Sequence, residues 1–441
     1  MRAFRVLSIV LLLPPLVGCS WMARHRHPTA KHSAGAPAPR PTITAATRKN
    51  RQVILDALLE QLRDNYMALE TDPILDRFRA QRETLLATSS PDAFYQAING
   101  ILHQSGHRHL YLYRPGRDLF GHDPKTGAVL GATSTTIDGV TYVDDVWEGG
   151  PAAEAGLLYG DEIIEEPGHG PDRLEDLPEG VLTRTIRIRH SRQGEPITTT
   201  LHAAVGDTLW YLAQASRSSI RRMARGPCRV GLIHLRTFAD EDLIEDLVTG
   251  AQFNEVDGLV IDLRGNRGGE IRLAAELFDL LTRRPSVYIQ YNHRQYSFPP
   301  TNWNHPLAVL VDGHTGSAAE IFAAAVQILH LGAVIGTSTA GEVQASRLFD
   351  LPDGSRLMVP ISTVSLPDGT DLQGHGVVPE INVQRPLPYA AGADPPLEKA
   401  LDTLADEMVC GGEVPEERFP QEKLAPPPDP SQHGPDRTPV P

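Results

Sequence analysis

Between Lys125 and Lys399 the 441-residue chain contains no lysine. That gap excludes a lysine general base or Schiff base contributed by the middle of the chain. Cysteine is nearly absent too: Cys19, Cys228 and Cys410 are the only three, too few for a disulfide-rich scaffold or a zinc site of paired CxxC motifs. Positive charge is in deficit, 41 basic against 55 acidic residues for a formal charge of -14, which excludes a nucleic-acid binder that depends on a basic surface. Long apolar runs are missing as well. The run from Val6 to Leu13 is too short to span a bilayer comfortably. What remains, 41% apolar and 22% charged residues, describes a soluble acidic chain of two or three folded units at about 150 residues each.

The first 18 residues combine Arg2 and Arg5, the short apolar run, and Leu16-Val17-Gly18 before Cys19. This resembles a bacterial lipoprotein signal, which implies cleavage before Cys19, lipidation of its sulfur and anchoring in a bilayer. Ser20 after the cysteine resembles signals directed to the outer membrane, with the protein on its periplasmic face. Residues 19–47, rich in Pro, Ala, Thr and His, read as a flexible tether, and His25, His27 and His32 as solvated side chains within it. In an oxidising compartment Cys228 and Cys410 either pair, worth about 4–5 kcal/mol in a loop-entropy picture, or stay as two buried thiols.

Apolar residues recurring at three and four mark residues 48–115 as a helical unit, with Ser90-Pro91 as a helix start. His107 and His109 follow. As an HxH pair they lack a third ligand, so a structural or solvent-facing role is expected; a metal enzyme built on them and His122 is the remote alternative, and no metal or other cofactor is expected. Residues 126–205 are β-rich, and Gly149-Gly-Pro-Ala-Ala-Glu-Ala-Gly156-Leu-Leu-Tyr-Gly-Asp161 resembles the PDZ fold, which implies peptide binding by strand addition. Arg184, Arg187 and Arg189 read as the wet face of an edge strand. Residues 206–395 open with a helical stretch from Trp210 through Arg217, Arg221, Arg222 and Arg225. Strand and helix then alternate: strands at Val230–Leu235, Leu259–Leu263 and Leu307–Val311, each followed by a helix, at 239–253, 270–282 and 318–331. That is the pattern of an α/β unit with a largely parallel sheet. Residues 396–441 read as one amphipathic helix and a disordered Pro-rich tail.

Two motifs can carry chemistry. Val311-Asp-Gly-His-Thr-Gly-Ser317 ends a strand and puts a hydroxyl at a helix N-terminus, where free backbone N–H groups can stabilise an oxyanion. The same residues also suit a plain capping box, with Glu320 three positions after Ser317. The second is Ile261-Asp262-Leu-Arg264-Gly265-Asn266-Arg-Gly268-Gly269, a glycine-rich turn without the spacing of a dinucleotide loop or the lysine of a P-loop. Asp262 and Arg264 are expected to brace it.

These runs, followed in order by Thr339-Ala-Gly341, Leu351-Pro-Asp-Gly354-Ser and Gln373-Gly-His-Gly376, resemble the tail-specific (C-terminal processing) proteases and the tricorn core. The resemblance implies a crotonase/ClpP-like α/β serine peptidase core, Ser317 as nucleophile, and an oxyanion hole from Gly268 or Gly269 with the N–H of Ala318. Tail-specific proteases place a lysine base after the Thr-x-Gly turn; here Glu342 stands there. The tricorn-type branch uses a histidine on the first core strand, which points to His234. That branch orients it with a glutamate and a neighbouring serine, where this chain has Gln373 and Ile233, so Gln373 or Glu342 is expected to orient the imidazole. The resulting expectation is a lipid-anchored serine endopeptidase acting on unstructured or C-terminally recognised polypeptides. The alternative is a catalytically degenerate peptide-binding lipoprotein of the same fold.

Overall fold

The computed structural model describes residues 44–117, 127–164, 174, 181–249, 256–281, 289–291, 294–296, 305–364 and 371–408. The lipoprotein-like signal, Cys19, most of the tether, His122, Cys410 and the Pro-rich tail lie outside these residues.

Three helices, Arg48–Asn65, Ile74–Leu86 and Pro91–His103, begin the described chain. The third starts where the sequence predicts: Pro91 occupies the first turn and the Ser90 hydroxyl accepts the Ala93 N–H at 3.1 Å. Their apolar faces, with Ile54, Leu58, Phe78, Phe94 and Ile98 buried, close on Leu351, Leu357 and Val359 of a distant hairpin, Gln344–Asp350 with Arg356–Thr363. Strand Tyr111–Tyr113 adds to that hairpin antiparallel. The N-terminal helices are thereby fixed to the chain just beyond Glu342.

A six-stranded sheet forms the centre, in the order Ile381–Asn382, Ala333–Gly336, Leu307–Val311, Gly258–Asp262, Cys228–His234, Arg221–Arg225. All neighbours are parallel except the last pair. The last strand departs from the sequence expectation: the helix runs only Thr208–Ser219, and Arg221, Arg222 and Arg225 lie on an edge strand. Gly226, at φ 59°, and Pro227 turn that strand back into Cys228–His234, so a hairpin replaces the helical continuation. Helices Glu241–Thr249, Ile271–Leu280 and Ala318–Ile328 supply side chains to one cluster of the core, where Phe322 meets Phe238 and Phe278 at ring distances of 5.8 and 5.9 Å. Helix Pro395–Glu407, capped by Asp394, adds Leu397, Leu401 and Leu404 to a second cluster with Val230, Val260 and Leu310. Cys228 belongs to that cluster and is disulfide-bonded; both other cysteines of the chain lie outside the described residues.

The β-rich unit is a five-stranded antiparallel sheet, Ala132–Ile137, Val140–Val146, Glu162–Ile164, Thr183–Arg189 and Ile197–His202, with the short helix Pro151–Glu154 beside it. Strand Thr183–Arg189 is second from the edge rather than at it, because Ile197–His202 pairs along its far side. Arg187 and its neighbours still line a wet face, and Arg189 pairs with Glu162 at 3.0 Å.

Candidate active site

Strand Leu307–Val311 is buried along its whole length and delivers the chain to a tight turn ending at Ser317. The turn is built by Asp312, whose Oδ1 accepts the N–H groups of Gly265 (3.1 Å), His314 (3.0 Å) and Thr315 (3.0 Å). Ser317 sits at φ 54°, ψ -120°, a backbone region that side-chain-bearing residues rarely occupy and that marks strain held by its surroundings. Helix Ala318–Ile328 begins immediately after it.

The capping-box alternative is realised as well: the Ser317 side chain faces the backbone N–H of Glu320, and the Glu320 carboxylate accepts the Ser317 N–H at 3.0 Å. Glu320 is fully buried and does more than cap: Oε1 accepts the Thr339 hydroxyl (2.5 Å) and the Gly341 N–H (2.7 Å), and Oε2 accepts the Glu342 N–H (2.8 Å) besides that of Ser317. One carboxylate oxygen therefore joins the backbone of Ser317 to that of Glu342, the position at which the lysine of a Ser-Lys pair would stand.

The glycine-rich turn faces Ser317 from the neighbouring strand. A Cβ on Gly268, at φ 100°, would lie 2.7 Å from the Ser317 Cβ and 2.9 Å from the Ala318 nitrogen. Only glycine lets the two loops approach this closely. Buried Asn266 fixes the turn, donating to Leu235 O at 2.9 Å and accepting the Gly268 N–H at 2.8 Å. Of the candidate oxyanion donors, Gly268 is thus already engaged, whereas the N–H groups of Gly269 and of Ala318, in the first turn of its helix, have no acceptor among the described residues. Asp262 and Arg264 brace the turn as expected: Arg264 reaches Asp262 at 2.6 Å and Asp394 at 2.8 Å, and holds the Asp262 carboxyl well below its usual range against the opposing effect of burial.

His234 lies at the end of strand Cys228–His234 and lines the same cleft as Ser317, a space of about 2110 Å³. Its partners are not Gln373 or Glu342. Nδ1 meets Glu148 Oε1 of the β-rich unit at 2.9 Å, and Nε2 meets the Arg264 carbonyl at 2.8 Å. A carbonyl only accepts, so Nε2 carries a proton. Burial and the Arg236 charge push the imidazole pKa down, but the carboxylates of Asp262 and Glu148 outweigh them and the net shift is upward. Burial would raise the Glu148 pKa, yet the charges of His234 and Arg236 bring it down to about 2, so Nδ1 faces an anion and is protonated too. Both ring nitrogens are committed donors, and no hydrogen bond joins His234 to Ser317.

Gln373 instead accepts the Val343 N–H at 2.9 Å, bracing the turn after Glu342. Glu342 ion-pairs with Arg108, which the N-terminal unit brings across. With Arg108 comes His109. It lines the Ser317 cleft, its pKa is lowered mainly by burial against the raising effect of Glu342, and its buried Nδ1 has no hydrogen-bond partner among the described residues. His109 is thus an imidazole of lowered pKa in the wall of the cleft that Ser317 also lines, where the sequence pointed to a structural or solvent-facing side chain. The available signal was its place directly after the N-terminal helices; nothing in the spacing showed that the Gln344–Thr363 hairpin would dock those helices beside Glu342.

Residues 229–383 match Peptidase family S41. The chain is 25% identical over 332 residues to the carboxy-terminal-processing protease of Bartonella bacilliformis, covering 71% of this chain and 74% of that one. It is 32% identical over 149 residues to tricorn protease homolog 1 of Streptomyces coelicolor, covering 33% of this chain and 14% of that much longer protein. Among solved structures, the photosystem II D1 C-terminal processing protease superposes with a TM-score of 0.51 at 22% identity, over 80% of this chain and 97% of the other. The α/β core thus carries the peptidase family S41 match, its similarity to carboxy-terminal-processing proteases is that of a serine peptidase, and the superposition shows a shared fold.

Proposed function

We propose that the protein hydrolyses peptide bonds through Ser317, with His109 as the general base. The observation that carries the reading is the strained placement of Ser317 at a helix start, pressed by Gly268 and flanked by the unengaged N–H groups of Ala318 and Gly269. His109 takes the Oγ proton as Oγ attacks the carbonyl carbon, and the two N–H groups receive the oxyanion. The protonated imidazole then gives its proton to the leaving amine. Water, deprotonated by the same group, hydrolyses the acyl-enzyme and regenerates Ser317.

His234, protonated on both nitrogens, acts in this reading as a positioning residue that holds the Arg264 carbonyl and hence the glycine-rich turn. It becomes the base only if the Arg264 carbonyl releases Nε2 and that nitrogen gives up its proton; Glu148 on Nδ1 would then orient the ring as the carboxylate of a Ser-His-Asp triad does. The β-rich unit serves as a PDZ-like module that presents unstructured chains or C-termini, and Cys19 carries the lipid that holds the protein to the envelope membrane, on the periplasmic side. No described helix is long and apolar enough to cross a membrane.

A fluorophosphonate probe tests the nucleophile. Labelling of the folded protein that disappears in Ser317→Ala is expected; folded protein that takes no label in any buffer would instead support a non-catalytic peptide binder.

A further inference from the structure

Most arginines that line the Ser317 cleft have a carboxylate within ion-pair distance. Arg236 meets Asp145 and Glu148, Arg264 meets Asp262 and Asp394, Arg108 meets Glu342, and Arg272 meets Glu276. Arg267 does not. Its side chain is exposed within the cleft, and it has no ion pair or hydrogen bond among the described residues. In a chain with 55 acidic residues against 41 basic ones, a cation left unpaired beside the nucleophile is out of keeping with its surroundings.

The backbone beneath Arg267 is rigid. Asn266 on one side is wholly buried, and its carbonyl accepts the Gly316 N–H at 2.9 Å; Gly268 on the other side presses on Ser317. A Cβ placed on Gly316 would sit 3.7 Å from the Arg267 Cα, so the two loops touch one residue before the nucleophile. His314, on the second loop, feels the Arg267 charge but is itself drawn to Asp312. Arg267 is thus a guanidinium on a fixed stem, next in sequence to Gly268 and exposed in the wall of the cleft that Ser317 also lines.

We infer that Arg267 is a specificity residue that selects polypeptides bearing a carboxylate beside the scissile bond. The carboxylate is either an Asp or Glu side chain or the free α-carboxylate of a chain end. A charge-assisted hydrogen bond in a partly exposed cleft amounts to about a tenfold preference. The inference rests on Ser317 being the centre of the cleft, but its test does not require turnover.

The test measures binding to the full chain carrying Ser317→Ala. The probes are fluorescein-labelled Ala/Gly/Leu dodecapeptides with Glu or Gln at the middle position and a free or amidated C-terminus. At least one carboxylate-bearing peptide is expected to bind about tenfold more tightly than the Gln amide, and the arm that does so identifies the source of the anion. Adding Arg267→Gln should bring the ratio close to one, Arg267→Lys should keep part of it, and Arg267→Glu should reverse it for a central Lys. Equal affinities for all four peptides, absence of binding, or a preference that survives Arg267→Gln would each overturn the inference. Fluorophosphonate labelling of the Ser317-containing protein reports separately on the catalytic reading.

Discussion

Nδ1 of His234 stands 2.9 Å from Oε1 of Glu148, and this contact ties the peptidase sheet to the β-rich unit. Glu148 also takes the Arg236 guanidinium at 2.8 Å, while Asp145 takes its other branch at 2.8 Å, so two carboxylates from one unit close over two cations from the other. Each ion would be costly alone in so buried a place.

Glu148→Gln should therefore cost roughly 2–3 kcal/mol of stability, at the low end for breaking a buried pair because Glu148 keeps some solvent contact. The pH dependence has two limbs. The folded pKa of His234 is raised, so its contribution is complete below about 6.5, the ordinary histidine value, and is lost as pH rises through the higher folded value. That of Glu148 is depressed to about 2, so its contribution is complete above the ordinary carboxylate value of 4.5 and is lost as pH falls toward 2. Urea denaturation across pH should show the wild-type advantage over Glu148→Gln largest between about pH 4.5 and 6.5, shrinking on both sides. A difference independent of pH would show that the two groups do not titrate as a pair.

The pH profile of kcat/KM distinguishes the two imidazoles. A general base must be unprotonated in the free enzyme, so activity rises with pH through its pKa. Burial lowers the pKa of His109, which places the half-maximal point below 6.5, whereas His234 as base would place it above 6.5. His109→Gln should lower kcat by about 10²–10⁴-fold with little change in KM. Retention of full activity in that variant would remove His109 from the mechanism.

Gly268→Ala tests the contact between the two loops. The added methyl would fall 2.7 Å from the Ser317 Cβ, at a φ of 100° that alanine does not tolerate, so one loop must move. A destabilisation of about 2 kcal/mol or more is expected, together with loss of fluorophosphonate labelling in the fraction that stays folded. Labelling at the wild-type rate would mean that the glycine serves chain flexibility alone.

The alternation of apolar strands and amphipathic helices from Val230 onward made the α/β core legible, since each buried strand reads as an unbroken apolar run. Ser317, Gly268 and Gly269 were legible for a related reason: short local motifs carry them, and local spacing determines the turn each forms. The surroundings of His234 were not. Glu148 lies on another unit, and no periodicity on strand Cys228–His234 indicates which loop will dock there. His109 escaped on the same ground, because its position beside Glu342 depends on the helices packing against Leu351, Leu357 and Val359. The strand at Arg221–Arg225 was missed because several arginines following a helix suit a helical face as well as a solvated edge.

Glu320 gives the most direct test of how the site is assembled. Its two oxygens accept four hydrogen bonds, from Ser317, Thr339, Gly341 and Glu342, with no solvent exposure. Glu320→Gln keeps the shape but exchanges one oxygen for an NH2 group, which must then face two donors. Two N–H or O–H groups lose their acceptor inside the protein, at about 1–3 kcal/mol each. A loss of roughly 3 kcal/mol is therefore expected for Gln and at least as much for Ala, which also leaves a cavity. Because the same carboxylate joins Ser317 to the 339–342 turn, labelling of Ser317 should fall in both variants even under conditions where circular dichroism reports full folding. If Glu320→Gln proved as stable and as readily labelled as the wild type, the 339–342 turn would have to be held against Ser317 by something other than this carboxylate.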